Sequence, residues 1–389
     1  MMDAARASLL LKELVIFKNL ATDPLVAGLV NLLESESYEQ KLAASSAVAR
    51  ALYPESTDAT EAVFGRVCAD DNFYVRCLAA GGEPDSAIRA QLVRELEALA
   101  AAAGCSVTGD DLPAWNAEKI DFVARFDARM ARVATEGFGL FAVHRVFSVD
   151  AAGHLVPVRH PDPLRISDLF GYEEERGKVL RNTEALLEGL PAGNMLLYGD
   201  AGTGKSSTVK AVANELSERG LRLIQVEKQW LHTIPSLLDE LADHPLKFIL
   251  FIDDLSFSTG DGHFNALKSV LEGSVAARPD NVVVYATSNR RHLISETFSG
   301  RTGDDVHASD TQEEIAGLAA RFGTIVTFGK PDRDQYIRLA MRLARKVGLD
   351  IEEEELVREA EAFAIRSGGR SPRTARQYVE GRIALKKSK

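Results

Sequence analysis

Gly199-Asp200-Ala201-Gly202-Thr203-Gly204-Lys205-Ser206 is the stretch from which the rest of the chain can be read. It follows the apolar run Asn194-Met195-Leu196-Leu197-Tyr198, and the residues after it, from Thr208 to Leu216, have helical spacing. G-x-x-x-x-G-K-[ST] between a strand and a helix is the pattern and the context of a phosphate-binding loop. Glycines let the backbone turn with its N–H groups inward, and the helix that starts there adds unpaired N–H groups and a positive dipole end. Lys205 is expected to reach the β- and γ-phosphates and Ser206 to hold Mg2+. The expected nucleotide contacts are therefore Gly199, Asp200, Ala201, Gly202, Thr203, Gly204, Lys205, Ser206 and Ser207. The plainer alternative is a glycine-rich turn with an incidental lysine. The flanking strand and helix argue against it.

Other apolar runs supply the neighbours of this strand. Lys247-Phe248-Ile249-Leu250-Phe251-Ile252 reads as a strand buried on both faces, and so does Val282-Val283-Val284-Tyr285-Ala286-Thr287. Arg222 to Val226 and Thr324 to Phe328 complete five strands, with a helix from Glu173 to about Leu187 before the first and one from Trp230 to Ala242 among them. Strands alternating with helices imply a parallel sheet whose ligands lie at the strand C-terminal ends. The first run ends in Asp253-Asp254 and the second in Ser288-Asn289-Arg290-Arg291. Asp253 stands where phosphate-loop enzymes place the carboxylate that holds Mg2+. Asp254 stands where the attacking water is oriented or deprotonated, with a helix cap as the plainer reading. Asn289 is expected beside the γ-phosphate, where a neutral amide orients water; otherwise it is a turn residue. For Arg290 and Arg291 solvated charge is the default.

Away from this centre the chain is helical. Residues 1 to about 135 repeat apolar residues at helical spacing, with Leu10, Leu14, Phe17 and Leu20 on one face and Asp23-Pro24 starting the next helix. The segments from Gln40 to Leu52 and from Ser86 to Ala102 continue the pattern. Trp115, Phe122, Phe126 and Met130 have core spacing. From Gly137 the period changes. Phe138, Leu140 and Ala142 on to Val149 carry β-type residues, and Ala151-Ala152-Gly153-His154 turns into Leu155-Val156-Pro157-Val158, a hairpin. Three helices close the chain, roughly Asp334–Lys346, Glu352–Ile365 and Pro372–Lys387, the last started by Ser371 as N-cap and Pro372. The polar stretch from Phe298 to Thr311 reads as a mobile loop.

Composition narrows the function classes. The 389 residues are 46% hydrophobic, enough for packed cores, and the net charge of −11 does not favour nucleic acid or anionic membranes. Only the end is basic, with eight Lys/Arg against two acids from Glu361 onward, read first as a solvated helix face. No run approaches the ~18–20 apolar residues that span a bilayer. Cys68, Cys77 and Cys105 lack metal-ligand spacing, and no secretion signal is visible, which together fit a cytoplasmic protein.

Gly199–Ser206, Asp253-Asp254, Asn289, Arg321-Phe322-Gly323 and Gly369-Arg370-Ser371-Pro372-Arg373, in that order, resemble an AAA+ ATPase. The resemblance implies Walker A, Walker B, sensor 1, an arginine-finger region and sensor 2, an α/β fold with a five-stranded parallel sheet, and a helical lid. Arg181-Asn182-Thr183, the run from Gly193 to Gly199 and Asp253-Asp254-Leu255-Ser256-Phe257 further resemble a family of uncharacterised bacterial predicted ATPases, a domain of unknown function. With the helical pattern ending before Gly137 and the linker at Pro161-Asp162-Pro163, the expected division is 1–136 as an N-terminal helical region, 137–165 as hairpin and linker, 166–330 as ATPase domain and, as the resemblance implies, 331–389 as lid. The resemblance also implies ATP and Mg2+ as cofactors and a homo-oligomer in which Arg321 acts on a neighbour's nucleotide and Arg373 senses the γ-phosphate. Local readings compete: an ion pair of Arg321 with Glu313 or Glu314, and of Arg373 with Glu352–Glu355. Walker B reads Asp-Asp where AAA+ proteins usually have Asp-Glu, Ala320 replaces an acid usual in the closer family, and no aromatic pore-loop motif follows the second strand. The expected function is Mg2+-dependent ATP hydrolysis coupled to conformational change in an unidentified macromolecular partner. A nucleotide-held switch or scaffold with little turnover ranks second, and a helicase-loader-like protein on DNA lower. A small-molecule kinase lacks nameable substrate residues.

Overall fold

The computed structural model describes residues 3–107, 109, 111–255, 266–268, 270–271, 279–289 and 321–387. The expectations for Arg290, Arg291, Glu313, Glu314, Ala320 and the stretch from Phe298 to Thr311 lie outside the described residues. By contact the chain divides into two units, residues 1–144 with 243–246, and residues 145–242 with 247–389.

In the second unit the sheet grows around the most apolar strand. Its seven strands are β1 (Val146–Val149), β2 (Leu155–Pro157), β3 (Met195–Gly199), β4 (Leu221–Gln225), β5 (Lys247–Ile252), β6 (Val282–Asn289) and β7 (Thr324–Phe328), in the order β2-β1-β4-β5-β6-β3-β7. All pairings are parallel except β1 with β2. From Phe248 to Ile252 every residue of β5 is 0% exposed. A polar residue on either face would lose water without compensation, and both faces are indeed covered. Ile249 and Phe251 pack in one core with Val179, Val209, Val212 and Leu216 of the flanking helices.

The register of the pairing fixes the site. β3 lies between β6 and β7, and Gly199 is opposite both Asn289 and Phe328. Ile252 is opposite Ala286, so Asp253 follows β5 beside Thr287. Helix Lys205–Leu216 leaves directly from the end of β3 by way of the phosphate loop. The five expected strands are present, and the hairpin makes the total seven because β1 pairs parallel with β4, Phe147 opposite Ile224. Phe147 is 0% exposed, an apolar reason for the hairpin to extend the sheet rather than hang from it.

Helices Arg333–Lys346, Glu353–Arg366 and Pro372–Lys387 form a separate apolar cluster around Tyr336, Leu356, Ala360 and Tyr378. Asp332 starts the first with a reciprocal capping box to Gln335, and Ser371 accepts from Thr374 N at the start of the third.

The first unit is helical, from Ala4–Lys12 through Phe122–Met130 to short turns. Asp23 caps helix Pro24–Leu33 by accepting from Leu25 and Val26 N. Trp115, Phe122, Phe126 and Met130 are buried, as core spacing requires.

Three local expectations fail for physical reasons. The face of Leu10, Leu14, Phe17 and Leu20 is not one helix, because the helix ends at Lys12. Val15, Ile16 and Phe17 give their N–H groups to the carboxylate of Glu95, which is 0% exposed, at 2.9–3.2 Å. Residues 140–143 form a helical turn, not a strand, after Gly137 (φ 72°) and Gly139 (φ 59°) reverse the chain. The helix expected from Trp230 begins at Ile234, followed by Pro235, after a tighter turn over Lys228–Thr233.

Removing the Glu95 carboxylate leaves buried N–H groups without acceptors. Glu95→Ala is expected to lower stability by roughly 2–4 kcal/mol, and Glu95→Gln by less, because its amide oxygen still accepts. Urea unfolding of the full chain, followed by helical circular dichroism, measures both.

Candidate functional site

Three glycines with positive φ shape the loop: Gly199 (145°), Gly202 (78°) and Gly204 (95°). A Cβ on Gly199 would overlap the Phe328 carbonyl of the neighbouring strand, and one on Gly202 would come within 3.2 Å of Ser371 and Arg373 in the lid. Thr203 ties the loop on itself, donating to Asp200 O at 2.8 Å.

Lys205 is 6% exposed. Its ammonium donates to Gly199 O at 3.0 Å, Asp200 O at 2.8 Å and Asn289 Oδ1 at 2.9 Å. Burial pulls its pKa below the ordinary lysine value, against the opposing charges of Asp200, Asp254 and Asp253. Asn289 uses both ends of its amide, since its Nδ2 donates to Asp254 Oδ1 at 2.7 Å. Asp253 Oδ1 accepts from Ser206 Oγ and from Thr287 Oγ1, each at 2.6 Å. Asp254 has left-handed backbone (φ 52°), and its N–H donates to Thr287 Oγ1 at 2.9 Å. The structure thus brings Lys205, Ser206, Asp253, Asp254 and Asn289 together at the ends of β3, β5 and β6.

These residues line a cleft of ≈ 480 Å³ with Ala201, Gly202, Thr203, Gly204 and Ser207 on one side, and Arg373 and Arg376 of the lid on the other. Arg373 N–H donates to Gly202 O at 3.2 Å, which joins lid to loop through backbone. Its side chain pairs with no carboxylate among the described residues; Glu355 is taken by Arg382 at 2.9 Å. Arg321 precedes Phe322, which is 1% exposed, and is not part of the cleft wall.

A Ser206 hydroxyl that donates to Asp253 keeps its lone pairs for a cation, and hydroxyl plus carboxylate is a hard oxygen set suited to Mg2+. No group of three or more His, Cys, Asp or Glu converges among the described residues.

The sequence reading missed Thr287, Arg376 and the segment from Asp168 to Glu173. Thr287 and Ser288 are 2% and 0% exposed, and two buried polar residues ending an apolar strand were a usable signal. The segment closes the cleft from the side: Asp168, Leu169 and Phe170 line it. Lys346 donates to Asp168 at 2.5 Å and holds its carboxyl below the usual range, and Arg342 pairs with Glu173 at 3.4 Å. Tyr172 has left-handed backbone (φ 59°), its ring lies tilted against Phe328 with centroids 5.3 Å apart, and its hydroxyl donates to Gly329 O at 2.6 Å.

Comparison with known proteins finds the following likenesses. Residues 142–385 match a family described as "Protein of unknown function (DUF815)". A 26S proteasome regulatory subunit 4 homolog of Dictyostelium discoideum is 33% identical over 115 residues, 25% of this chain and 26% of that protein. The chain thus spans about a quarter of the length of the curated relative it matches. Solved structures include a Thermotoga maritima RuvB mutant, at 18% identity over 56% of this chain and 64% of that one, TM-score 0.37. Another is the Thermotoga maritima RuvB Holliday junction branch migration motor, at 15% identity over 57% and 72%, TM-score 0.33. No described helix is long and apolar enough to cross a membrane.

Gly199→Ala is expected to lower the melting temperature by several degrees, roughly the effect of 1–3 kcal/mol. Its Cβ meets backbone in β7, which cannot step aside. Thermal melting of the full chain followed by circular dichroism checks this. An unchanged melting temperature would mean that β3 and β7 are not so closely apposed.

Proposed function

The chain belongs to the DUF815 family, and on that premise we propose that it is an Mg2+-dependent ATPase that couples hydrolysis to conformational change in a macromolecular partner. The observation that carries the reading is the convergence of Lys205, Asn289 and Asp254 in one hydrogen-bonded line beside the Ser206–Asp253 pair. Bound Mg2+ would be held by Ser206 and Asp253 and would neutralise phosphate charge. Lys205 binds the β- and γ-phosphates, and the loop glycines admit them to backbone N–H groups. Asp254 orients the attacking water and takes its proton, while Asn289 fixes the direction of that carboxylate. Arg373, lacking an ion-pair partner among the described residues, supplies lid charge to the γ-phosphate. Residues 166–330 carry the nucleotide chemistry in this reading, and 331–389 form the lid.

Oligomerisation belongs to the same proposal. Arg321 sits just before β7 and outside its own cleft, so its proposed target is the nucleotide of a neighbouring subunit. The proposed compartment is the cytoplasm, in keeping with three unbridged cysteines. A second reading, a nucleotide-held switch with little turnover, is favoured by the bond from Asn289 to Asp254, because a carboxylate held by an amide is less free to take a proton.

Lys205→Ala is expected to weaken ATP binding at least a hundredfold with the melting temperature retained. Asp254→Asn is expected to bind ATP as the parent does and to release phosphate at least a hundredfold more slowly. Fluorescent-nucleotide titration and phosphate release measure the pair. Binding by Lys205→Ala equal to the parent would overturn the nucleotide assignment, and a parent that binds but does not release phosphate would select the switch.

Arg321→Ala is expected to lower phosphate release by about 10^3-fold or more, the range of arginine fingers. Mixed with Lys205→Ala, it should regain activity, because one subunit lends its arginine to the other's intact loop. Absence of rescue, with specific activity independent of concentration, would make Arg321 a local structural residue.

A further inference from the structure

One hydroxyl of β6 meets both aspartates of the site, the carboxylate of Asp253 and the backbone N–H of Asp254. Thr287 lies on β6, is 2% exposed, and is brought beside the end of β5 by the parallel pairing of Ile252 with Ala286. It is not part of the phosphate loop, of the Asp253-Asp254 pair or of Asn289. A threonine hydroxyl has one proton to donate and lone pairs to accept. Here the donor goes to Asp253 Oδ1 at 2.6 Å, and the acceptor takes the N–H of Asp254 at 2.9 Å. We propose that Thr287 is the positioning residue of this site, its one hydroxyl fixing both the carboxylate of Asp253 and the backbone of Asp254.

Each half of that role has a separate physical content. Toward Asp253, Thr287 Oγ1 and Ser206 Oγ both donate to Oδ1 at 2.6 Å. Two donors on one oxygen hold the carboxylate plane, and so set where its other oxygen faces. Toward Asp254, the bond retains a left-handed backbone that a non-glycine residue adopts at a cost. Asp and Asn tolerate this conformation better than most residues. That is a local reason for aspartate, not the longer glutamate, at this position. From there the Asp254 carboxylate reaches Asn289 Nδ2 at 2.7 Å. β-Branching completes the device, because a threonine on a strand has few χ1 rotamers and its hydroxyl stays where the two bonds need it. Leu255 follows the same pattern one step on: its N–H donates to Thr287 O at 2.7 Å and its carbonyl accepts from Ser288 Oγ at 2.7 Å. The chain leaving β5 is thus stitched to the end of β6 through three consecutive residues.

The inference rests on the nucleotide reading above, and the test separates the two. Thr287→Val keeps shape and β-propensity and removes the hydroxyl. Thr287→Ser keeps the hydroxyl and removes the methyl. In full-length protein, three quantities are compared: ATP affinity in EDTA, the Mg2+ concentration for half-maximal ATP binding, and kcat and KM for phosphate release. Thr287→Val is expected to keep affinity in EDTA within about twofold. It should raise the Mg2+ requirement about tenfold and lower kcat at least tenfold with KM changed little. Thr287→Ser should restore both within about threefold. Valine with the parent's Mg2+ requirement and kcat would overturn the proposal. So would a valine protein that loses EDTA affinity or cooperative melting, since Thr287 would then be a structural residue. Serine as impaired as valine would overturn it as well. A parent protein that binds no nucleotide would bring down the ATPase reading itself and this inference with it, a result distinct from all of these.

Discussion

Everything at the site depends on the parallel register of three buried strands. β5, β6 and β3 lie side by side with no freedom to slip, because their side chains are packed on both faces and a shift by one residue would exchange the faces of every side chain. Gly199, Asn289, Thr287 and Asp253 come from parts of the chain up to ninety residues apart. They meet because each stands at or just beyond the end of its strand. The apolar core thereby does chemical positioning: Phe248 to Ile252 do not line the cleft, yet their register with β6 places Asp253 beside Thr287 and Ser206.

Charge within the cleft is balanced through neutral intermediaries. Lys205 does not pair directly with either aspartate. Asn289 stands between Lys205 and Asp254, and Ser206 and Thr287 surround Asp253. Desolvation disfavours the lysine's charge, and the aspartates around it work in the other direction. An anionic ligand bearing its own cation can enter such a site without first breaking a direct ion pair, which would be costly to open in a buried place.

Much of this was legible in the sequence, wherever the cause was local. Apolar runs gave the five main strands, and Thr324–Phe328 and Lys247–Ile252 agree residue for residue with the structure. Asp23 and Ser371 announced helix starts because a cap is made within a few residues of itself. What escaped the reading was set by distant partners. The first helix stops at Lys12 because Glu95, some eighty residues on, collects three backbone N–H groups. Asp168 turned out to face the cleft because Lys346, 178 residues away, pairs with it. The hairpin was visible as a hairpin, but its parallel pairing with β4 was not, since Phe147 meets Ile224 only in the folded sheet. Thr287 looked like the last residue of a strand; its two bonds depend on a register that neither strand reveals alone.

Tyr172 has a kinematic consequence. Its hydroxyl grips the carbonyl of Gly329, the first residue beyond β7 on the way to the lid, while its ring rests against Phe328. On either side of it, Phe170 packs into the lid cluster, Asp168 holds Lys346 and Glu173 holds Arg342. The hinge is therefore clasped rather than free. Any rotation of the lid about Gly329 must either break the Tyr172 hydrogen bond or carry the 168–173 segment along, and with it the first turn of helix Glu173–Leu187. Lid and segment are geared, and displacement at the cleft is delivered to a helix on the flank of the sheet, away from the phosphate loop.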